Sequence, residues 1–513
     1  VAVEDLTSRP AARRTRQVDD RLRTAHWVVF AVVVVAALFV AYWNLGRQRV
    51  DVDEDVYVRA GWQYLHGVFS LNAEQPPVAK YLYGLGQLLV GREGALGARI
   101  VAATASLVTG LLLFVWFRRP VGFPGAIIAA GLWWLTPRAN GAAWADPGSG
   151  VATRIDRTGL LEPIMMVFAI AALFAAWKWI TTSSRWRWCW AAGAGVLLAA
   201  SVTSKVSTAV LVVAIVALPL LFRRWWEFLT GGLIAAAAFV ATFLALYLPV
   251  GLHRFFYMLQ FQSGQVSNGH TISLLGQTYQ FAPWWANFVY LLQGTSRWLV
   301  PVLVIGVLAA FVFRPDRLVL YLTIALASIV VFYVRSDVAL AHYYYAWMPL
   351  VIALVGIGLG RAGWPPTRTA WSWVRTVAVA VVLLLSVVPA VRLGAAVVQA
   401  RPAGIARLEA ALRARGVDRG TILFTKYNLV QWQPFVGKRG TWASDADDIT
   451  AVVQGVDPRF PVKPGIRQYL ETHADDLTHF TVDDLNVWVP KTGALVERDD
   501  VLGAATDTGG PQQ

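Results

Sequence analysis

The 513-residue chain is 57% hydrophobic and 15% charged, with a mean hydropathy of +0.51 and repeated apolar runs, which excludes a water-soluble globule. Its net charge of +14 comes from basic residues that punctuate those runs, a pattern of membrane topology that removes nucleic acid as a partner. The lone Cys189 rules out an intramolecular disulfide and any cysteine-based metal site, and the preference for arginine over lysine with abundant Ala, Val and Gly is the usage of a high-GC bacterium.

Apolar runs predict about eleven transmembrane helices, beginning near Ala25, Ala98, Val121, Thr158, Trp188, Val206, Phe228, Trp298, Leu318, Tyr344 and Val374. A basic tail over residues 1–24, with Arg9, Arg13, Arg14, Arg16, Arg21 and Arg23, places the N-terminus in the cytoplasm and makes the first run an uncleaved anchor. Arg118 and Arg119, then Lys178, Arg185 and Arg187, then Arg223 and Arg224, Arg314 and Arg317, and Arg361, Arg368 and Arg375 fall in loops of that same side. The transmembrane domain therefore covers residues 25–398, with outer loops at 46–95 and 251–297 and a shorter one from Trp144 to Arg157. Residues 399–513 change composition: Ile405 to Arg415 has the spacing of an amphipathic helix and Thr421 to Phe424 that of a strand, which predicts a small extracytoplasmic α/β module with a disordered end. The expected place of the whole is the plasma membrane of a cell envelope. No repeat and no pair of Gly/Pro-broken spans suggests an inverted-repeat transporter.

Candidate chemistry lies on the outer face. Asp51, Asp53, Glu54, Asp55 and Tyr57 follow the first span and run into a helix-spaced segment to His66; acids there are favoured by the helix dipole, and the plain alternative is a solvated cap of charge. Glu74-Gln75-Pro76-Pro77 then leads into a helix carrying Lys80 and Tyr81 on its first turn. At the entrance of the fourth span stand Arg154, Asp156, Arg157 and Glu162; a carboxylate in an apolar helix requires a partner, for which Arg157 is a candidate, although the arginines also suit simple snorkelling. Lys205, in a short turn on the outer side, runs against the positive-inside tendency and suits an anion, as do Arg254, Arg297, Arg335 and His342 unless they meet lipid phosphate. Gln277 and Tyr279, followed by Pro283-Trp284-Trp285 and Asn287, combine an aromatic belt with neutral hydrogen-bonding groups suited to a hydroxyl-rich ligand.

Together these motifs resemble the GT-C glycosyltransferases that use polyprenyl-phosphate sugars, in particular the family of protein O-mannosyltransferases and lipid A aminoarabinose transferases. The resemblance runs from about Leu45 to Leu359 and rests on Asp53-Glu54 with Tyr57, on Glu74-Gln75-Pro76-Pro77 with Lys80, on Arg157 to Glu162, and on Gly276-Gln277-Thr278-Tyr279 before the Pro-Trp-Trp segment. Gln75 stands where protein mannosyltransferases commonly have His, and Glu162 where Asp is usual. The resemblance implies a GT-C fold and an inverting transfer of a hexose or pentose, such as mannose or arabinofuranose, from a decaprenyl-type phosphate carrier to a hydroxyl on a glycan, lipid or protein. Asp53 is the candidate base, Glu54 and Glu74 its companions, and Lys205, Arg157, Lys80, Arg335 and His342 the candidate cations for the leaving phosphate. A phosphate monoester leaves without needing a metal cofactor, while the clustered acids leave a divalent metal open. Two competing readings are a transporter or lipid flippase, expected to place ionisable groups at mid-membrane on broken helices, and a scaffold whose C-terminal module binds cell-wall polymer.

Overall fold

The computed structural model describes residues 9–47, 52–140, 154–363, 369–400, 404–425, 436–441, 448–455, 464–483 and 485–492, with side chains from residue 24 onward apart from 52, 406 and 464. Asp51, Arg368, the segment from Trp144 to residue 153 and the chain beyond residue 492 lie outside the described residues.

The membrane part is built from α1 (Arg9–Tyr42), α2 (Val52–Leu65), α3 (Val78–Val90), α4 (Ala95–Phe117), α5 (Phe123–Leu135), α6 (Leu161–Thr181), α7 (Arg187–Val202), α8 (Val212–Leu221), α9 (Trp225–Tyr247) and α10 (Leu252–Asn268). A hairpin of β1 (Ile272–Leu274) and β2 (Gln277–Tyr279) follows, then α11 (Ala286–Gly294), α12 (Leu299–Val312), α13 (Arg317–Arg335), α14 (Met348–Gly363) and α15 (Ala370–Gln399). Each of the eleven apolar runs in the sequence has its own helix here, but six (α1, α4, α6, α9, α13 and α15) are long and apolar enough to cross a bilayer, or up to seven if the 116° bent pair of α11 and α12 counts as one span. The four others, α5, α7, α8 with the 3-10 turn ahead of it, and α14, have 10–17 residues, or up to about 25 Å at 1.5 Å per residue, short of a 30 Å hydrocarbon core.

Small residues set how these helices pack. α14 is buried along almost its whole length between α5 and α12, and a Cβ added at Gly358 would run into the Gly306 carbonyl while one at Gly356 would lie 2.8 Å from the Gly125 carbonyl. Close approach of backbones is the usual way helices gain dispersion contact in lipid, where no hydrophobic force drives them together. The bare outer faces of α9 and α15, by contrast, carry exposed Leu, Val and Trp, as suits contact with acyl chains.

The basic loops gather at one end of the bundle. There Arg187 and Arg224 both bind Glu227 at 3.1 Å, Arg361 binds Asp316 at 2.6 Å, and Arg317 lies over the Phe222 ring. The opposite end is capped by α2, α3, the 3-10 turn at Ile155–Arg157 and the β1–β2 hairpin. α2 and α3 touch through Gly61 and Gly84: a Cβ on Gly61 would lie 2.7 Å from the Lys80 carbonyl. Leu275 and Gly276 turn the hairpin with positive φ at both positions, 53° and 80°, the two-residue geometry that matches strand twist.

After α15 comes the C-terminal module: α16 (Gly404–Arg413), β3 (Thr421–Thr425), β4 (Gly440–Thr441), β5 (Ile449–Gly455), α17 (Pro464–Thr472), β6 (Leu477–Val482) and β7 (Leu485–Pro490). Its five-stranded sheet has the order β4-β3-β5-β7-β6, parallel among the first three strands and antiparallel beyond. Leu408 and Leu412 of α16 pack with Ile422, Phe424 and Val453 on one face, and Ile466, Tyr469 and Leu470 of α17 with Leu423 and Val452 on the other, so strand alternation alone accounts for two small cores.

Candidate functional site

The α2 helix starts with Asp53, Glu54 and Asp55, three acids in the turn where exposed N–H groups favour negative charge. Their neighbours separate them. Glu54 is fully buried and held by both carboxylate oxygens: Arg99 of α4 donates through Nε at 2.7 Å and through a terminal nitrogen at 2.8 Å, and the Gly159 N–H donates at 2.7 Å. Arg99 also donates to the Leu45 carbonyl at 3.0 Å, tying the end of α1 to the same network. The structure therefore sets Glu54 into the frame, where the sequence placed it beside Asp53 at the reacting centre. Asp55 pairs with Arg59 one turn on, at 2.8 Å, and burial lifts its carboxyl to about 6.

Asp53 alone of the three is half-buried. Burial raises its carboxyl above the ordinary aspartate range; Lys205 and His270 pull it back and Glu162 pushes it further up, so these groups lie within electrostatic reach of one another. Tyr57, one turn along α2, is buried and within the same reach of Asp53, Glu162, Tyr343 and Glu74.

Facing α2 is a buried triad of ionisable side chains. Glu162 opens α6 and accepts from the Lys205 ammonium, while His342 Nε2 stands 3.3 Å from the same carboxylate oxygen. The Lys205 ammonium also sits 4.2 Å from the centre of the Tyr343 ring. Burial works against the charged lysine, and Glu162, with Tyr343 and Tyr333, more than offsets it and holds the proton well above the ordinary range. The turn bearing Lys205 is fixed by the Val78 N–H donating to the Thr203 carbonyl at 2.9 Å, which joins the start of α3 to the end of α7.

Arg157 does not meet Glu162. It is fully buried and donates to the carbonyls of Val40, Ala41 (3.2 Å) and Trp43 (2.7 Å), closing the C-terminal end of α1. The expected pairing fails because Thr158 and Leu160 are extended, so Arg157 and Glu162 do not share a helix face. Behind Arg157 lies a second ionic knot that sequence reading reached only in part: Asp156 receives Arg138 at 2.6 Å and Arg154 at 2.5 Å and 2.7 Å, together with the Ser106 hydroxyl. The two arginines hold the Asp156 carboxyl well below the usual range in spite of its burial.

Lys80 is also turned inward. Its ammonium donates to the carbonyls of Asn72 (2.5 Å) and Gln75 (2.8 Å), lies 4.8 Å from the Tyr64 ring centre, and is brought down to about 7 by burial, with Arg254 adding and Glu74 opposing. It thereby fastens the Pro-Pro loop whose Glu74 accepts from Asn72 at 2.8 Å. Gln277 and Tyr279 bond each other at 2.6 Å on the hairpin, with Gln277 exposed, and Asn287 donates to the Tyr333 carbonyl at 3.2 Å. Arg335, exposed at the end of α13, edges a groove of about 640 Å³ lined otherwise by Val210, Val213, Val266, Val331, Phe332 and their small neighbours. Among the described residues no group of three or more His, Cys, Asp or Glu side chains is arranged to hold a metal.

Asp53, Tyr57, Glu162, Lys205 and His342 thus converge; Lys80 and Glu74 stand beside them; Arg157 and Glu54 brace the frame; Gln277, Tyr279 and Arg335 lie further out. His270, Tyr343, Arg99 and Arg138 were not singled out from the sequence. For the arginines a signal existed, an ionisable side chain inside or at the end of an apolar run, and it was absorbed into the span.

Neither a protein-family model nor a curated protein matches the sequence. Solved structures match in shape. ArnT from Cupriavidus metallidurans bound to undecaprenyl phosphate superposes with a TM-score of 0.59 at 16% identity over 90% of this chain and 97% of that one, and its apo state with 0.55 at 16% identity over 91% and 98%. The Archaeoglobus fulgidus oligosaccharyltransferase tethered to an acceptor peptide gives 0.50 at 9% identity over 90% and 74%. The chain is a polytopic membrane protein with the GT-C glycosyltransferase fold, and the resemblance read from its motifs holds at the level of that fold.

Proposed function

We propose that the chain is an inverting glycosyltransferase that moves a sugar from a polyprenyl-phosphate carrier to a hydroxyl acceptor. The observation that carries the reading is the convergence of a half-buried Asp53 carboxylate with the Glu162–Lys205–His342 triad. Asp53 takes the acceptor's hydroxyl proton as the acceptor oxygen bonds to the anomeric carbon; the bond from that carbon to the carrier phosphate breaks on the opposite face, and the polyprenyl phosphate leaves with the electron pair. Lys205, kept protonated by Glu162, supplies fixed positive charge for that leaving group in a site poor in water, where such charge is most effective. Tyr57, Glu74 and the hairpin pair Gln277 and Tyr279 suit binding of sugar or acceptor hydroxyls. The apolar groove with Arg335 at its edge suits an isoprenoid chain and its phosphate. The undecaprenyl phosphate bound to ArnT supports a polyprenyl carrier. The basic loops at the opposite end support an orientation with the site outside and the N-terminus in the cytoplasm.

The test is reconstitution of the purified chain in liposomes with decaprenyl-phosphate sugars, mannosyl and arabinofuranosyl in separate arms, and a hydroxyl-bearing glycan acceptor. Release of decaprenyl phosphate in step with labelled product is expected. Transfer from a nucleotide sugar with no lipid donor, or no transfer from any lipid donor, overturns the reading.

A further inference from the structure

The C-terminal sheet carries a feature that the transfer site does not use. Thr425 of β3 is in register with Gln454 of β5, Gln454 with Asn486 of β7, and Asn486 with Thr481 of β6, which makes one row of neutral polar side chains across four strands. All four share the face covered by α17, because the preceding register row, Leu423, Val452 and Trp488, belongs to the core beneath that helix. The face thus changes within two residues from Leu423, Val452 and Trp488, with His479 at the β6 end of that row, to four neutral polar side chains.

Three details separate this row from an ordinary solvated strand end. Thr425 is 5% exposed and its hydroxyl has no hydrogen-bond partner among the described residues, which is costly unless a ligand or water satisfies it. The row lies at the carboxyl ends of the adjacent parallel strands β3 and β5, and β3 has its two sequence successors, β4 and β5, on opposite sides, the strand arrangement at which open sheets bind ligands. Its border is a flat ring pair, His479 on Trp488 at 4.8 Å and 27°, with His479 also 3.3 Å from the Asn486 amide oxygen.

We infer that this row is a binding site for a neutral glycan. Amide groups both donate and accept, as sugar hydroxyls do, and a row of two amides and two hydroxyls with an aromatic border fits a saccharide ridge. The row contains no charged side chain to select a phosphate, a nucleotide or an acidic polymer. The inference stands apart from the transfer chemistry, since none of the four residues belongs to the membrane site.

Calorimetric titration of the full chain in nanodiscs tests it, with mannotetraose, arabinotetraose and tetragalacturonate as probes. Saturable binding of at least one neutral tetrasaccharide is expected, weakened at least tenfold by Asn486→Ala and by Thr481→Arg; Thr481 is exposed, so the second variant blocks the row without disturbing the core. Asp53→Asn should bind the same probe as wild type. Failure of both neutral probes, preference for the acidic one, or unchanged affinity in Thr481→Arg overturns the site.

Discussion

Asp53 differs from Glu54 and Asp55 in what surrounds it. Glu54 has both oxygens taken by Arg99 and the Gly159 N–H, and Asp55 has Arg59, whereas Asp53 faces the Lys205 cluster. A base works only when deprotonated, and burial favours the protonated form of Asp53, so the proposed role of Asp53 as base predicts that activity is lost on acidification at a higher pH than an ordinary aspartate would give. The pH profile of kcat/KM should therefore show an acid limb above the ordinary aspartate value of 3.8. A limb at or below that value contradicts the placement of Asp53 in a buried, carboxylate-bearing site.

At the scale of elements, the site is held by helices that cross-brace through buried charge. Arg99 joins α4 to α2 and to the end of α1, Arg157 closes α1, and Lys205 joins the turn after α7 to α6. Removing one member of such a pair leaves a desolvated charge, at a cost of about 3–5 kcal/mol, while replacing both members by apolar groups is often neutral. Arg99→Leu should accordingly lower the thermal midpoint of the purified protein sharply, and the double change Arg99→Leu with Glu54→Leu should recover much of it. Equal midpoints for the single variant and wild type would show that the pair does not brace α2. Arg99 escaped the sequence reading because it lies inside an apolar run predicted to start at Ala98, and its partner is 45 positions away, a separation no local pattern encodes. The expected Arg157–Glu162 pairing fails for a local reason: a spacing of five residues suggests neighbours on a helix only if the intervening backbone is helical, and there it is extended.

For the whole molecule, hydropathy and alternation placed each apolar helix, because membrane burial imposes length and composition on every span. The same signals do not give helix lengths: α5, α7 and α14 are apolar enough to read as spans, yet they are shorter than the six long helices, their ends set by packing among small residues and by loops that apolarity does not encode. The acids and cations at the candidate site were legible because each stands at the end of a run, where charge is conspicuous; which of them face one another is a tertiary fact. Orientation is testable with single cysteines in a Cys189→Ser background. Thr278→Cys on the exposed hairpin should react with an impermeant maleimide in intact cells, and Ser184→Cys at the basic end only after permeabilisation. The reverse pattern would put the site on the cytoplasmic side. The most direct measurement is the turnover of a decaprenyl-phosphate sugar by wild type and Asp53→Asn in matched proteoliposomes. Loss of a general base predicts a fall of about 10²–10⁴-fold with an unchanged melting curve, and turnover within a few-fold of wild type would contradict Asp53 as the base.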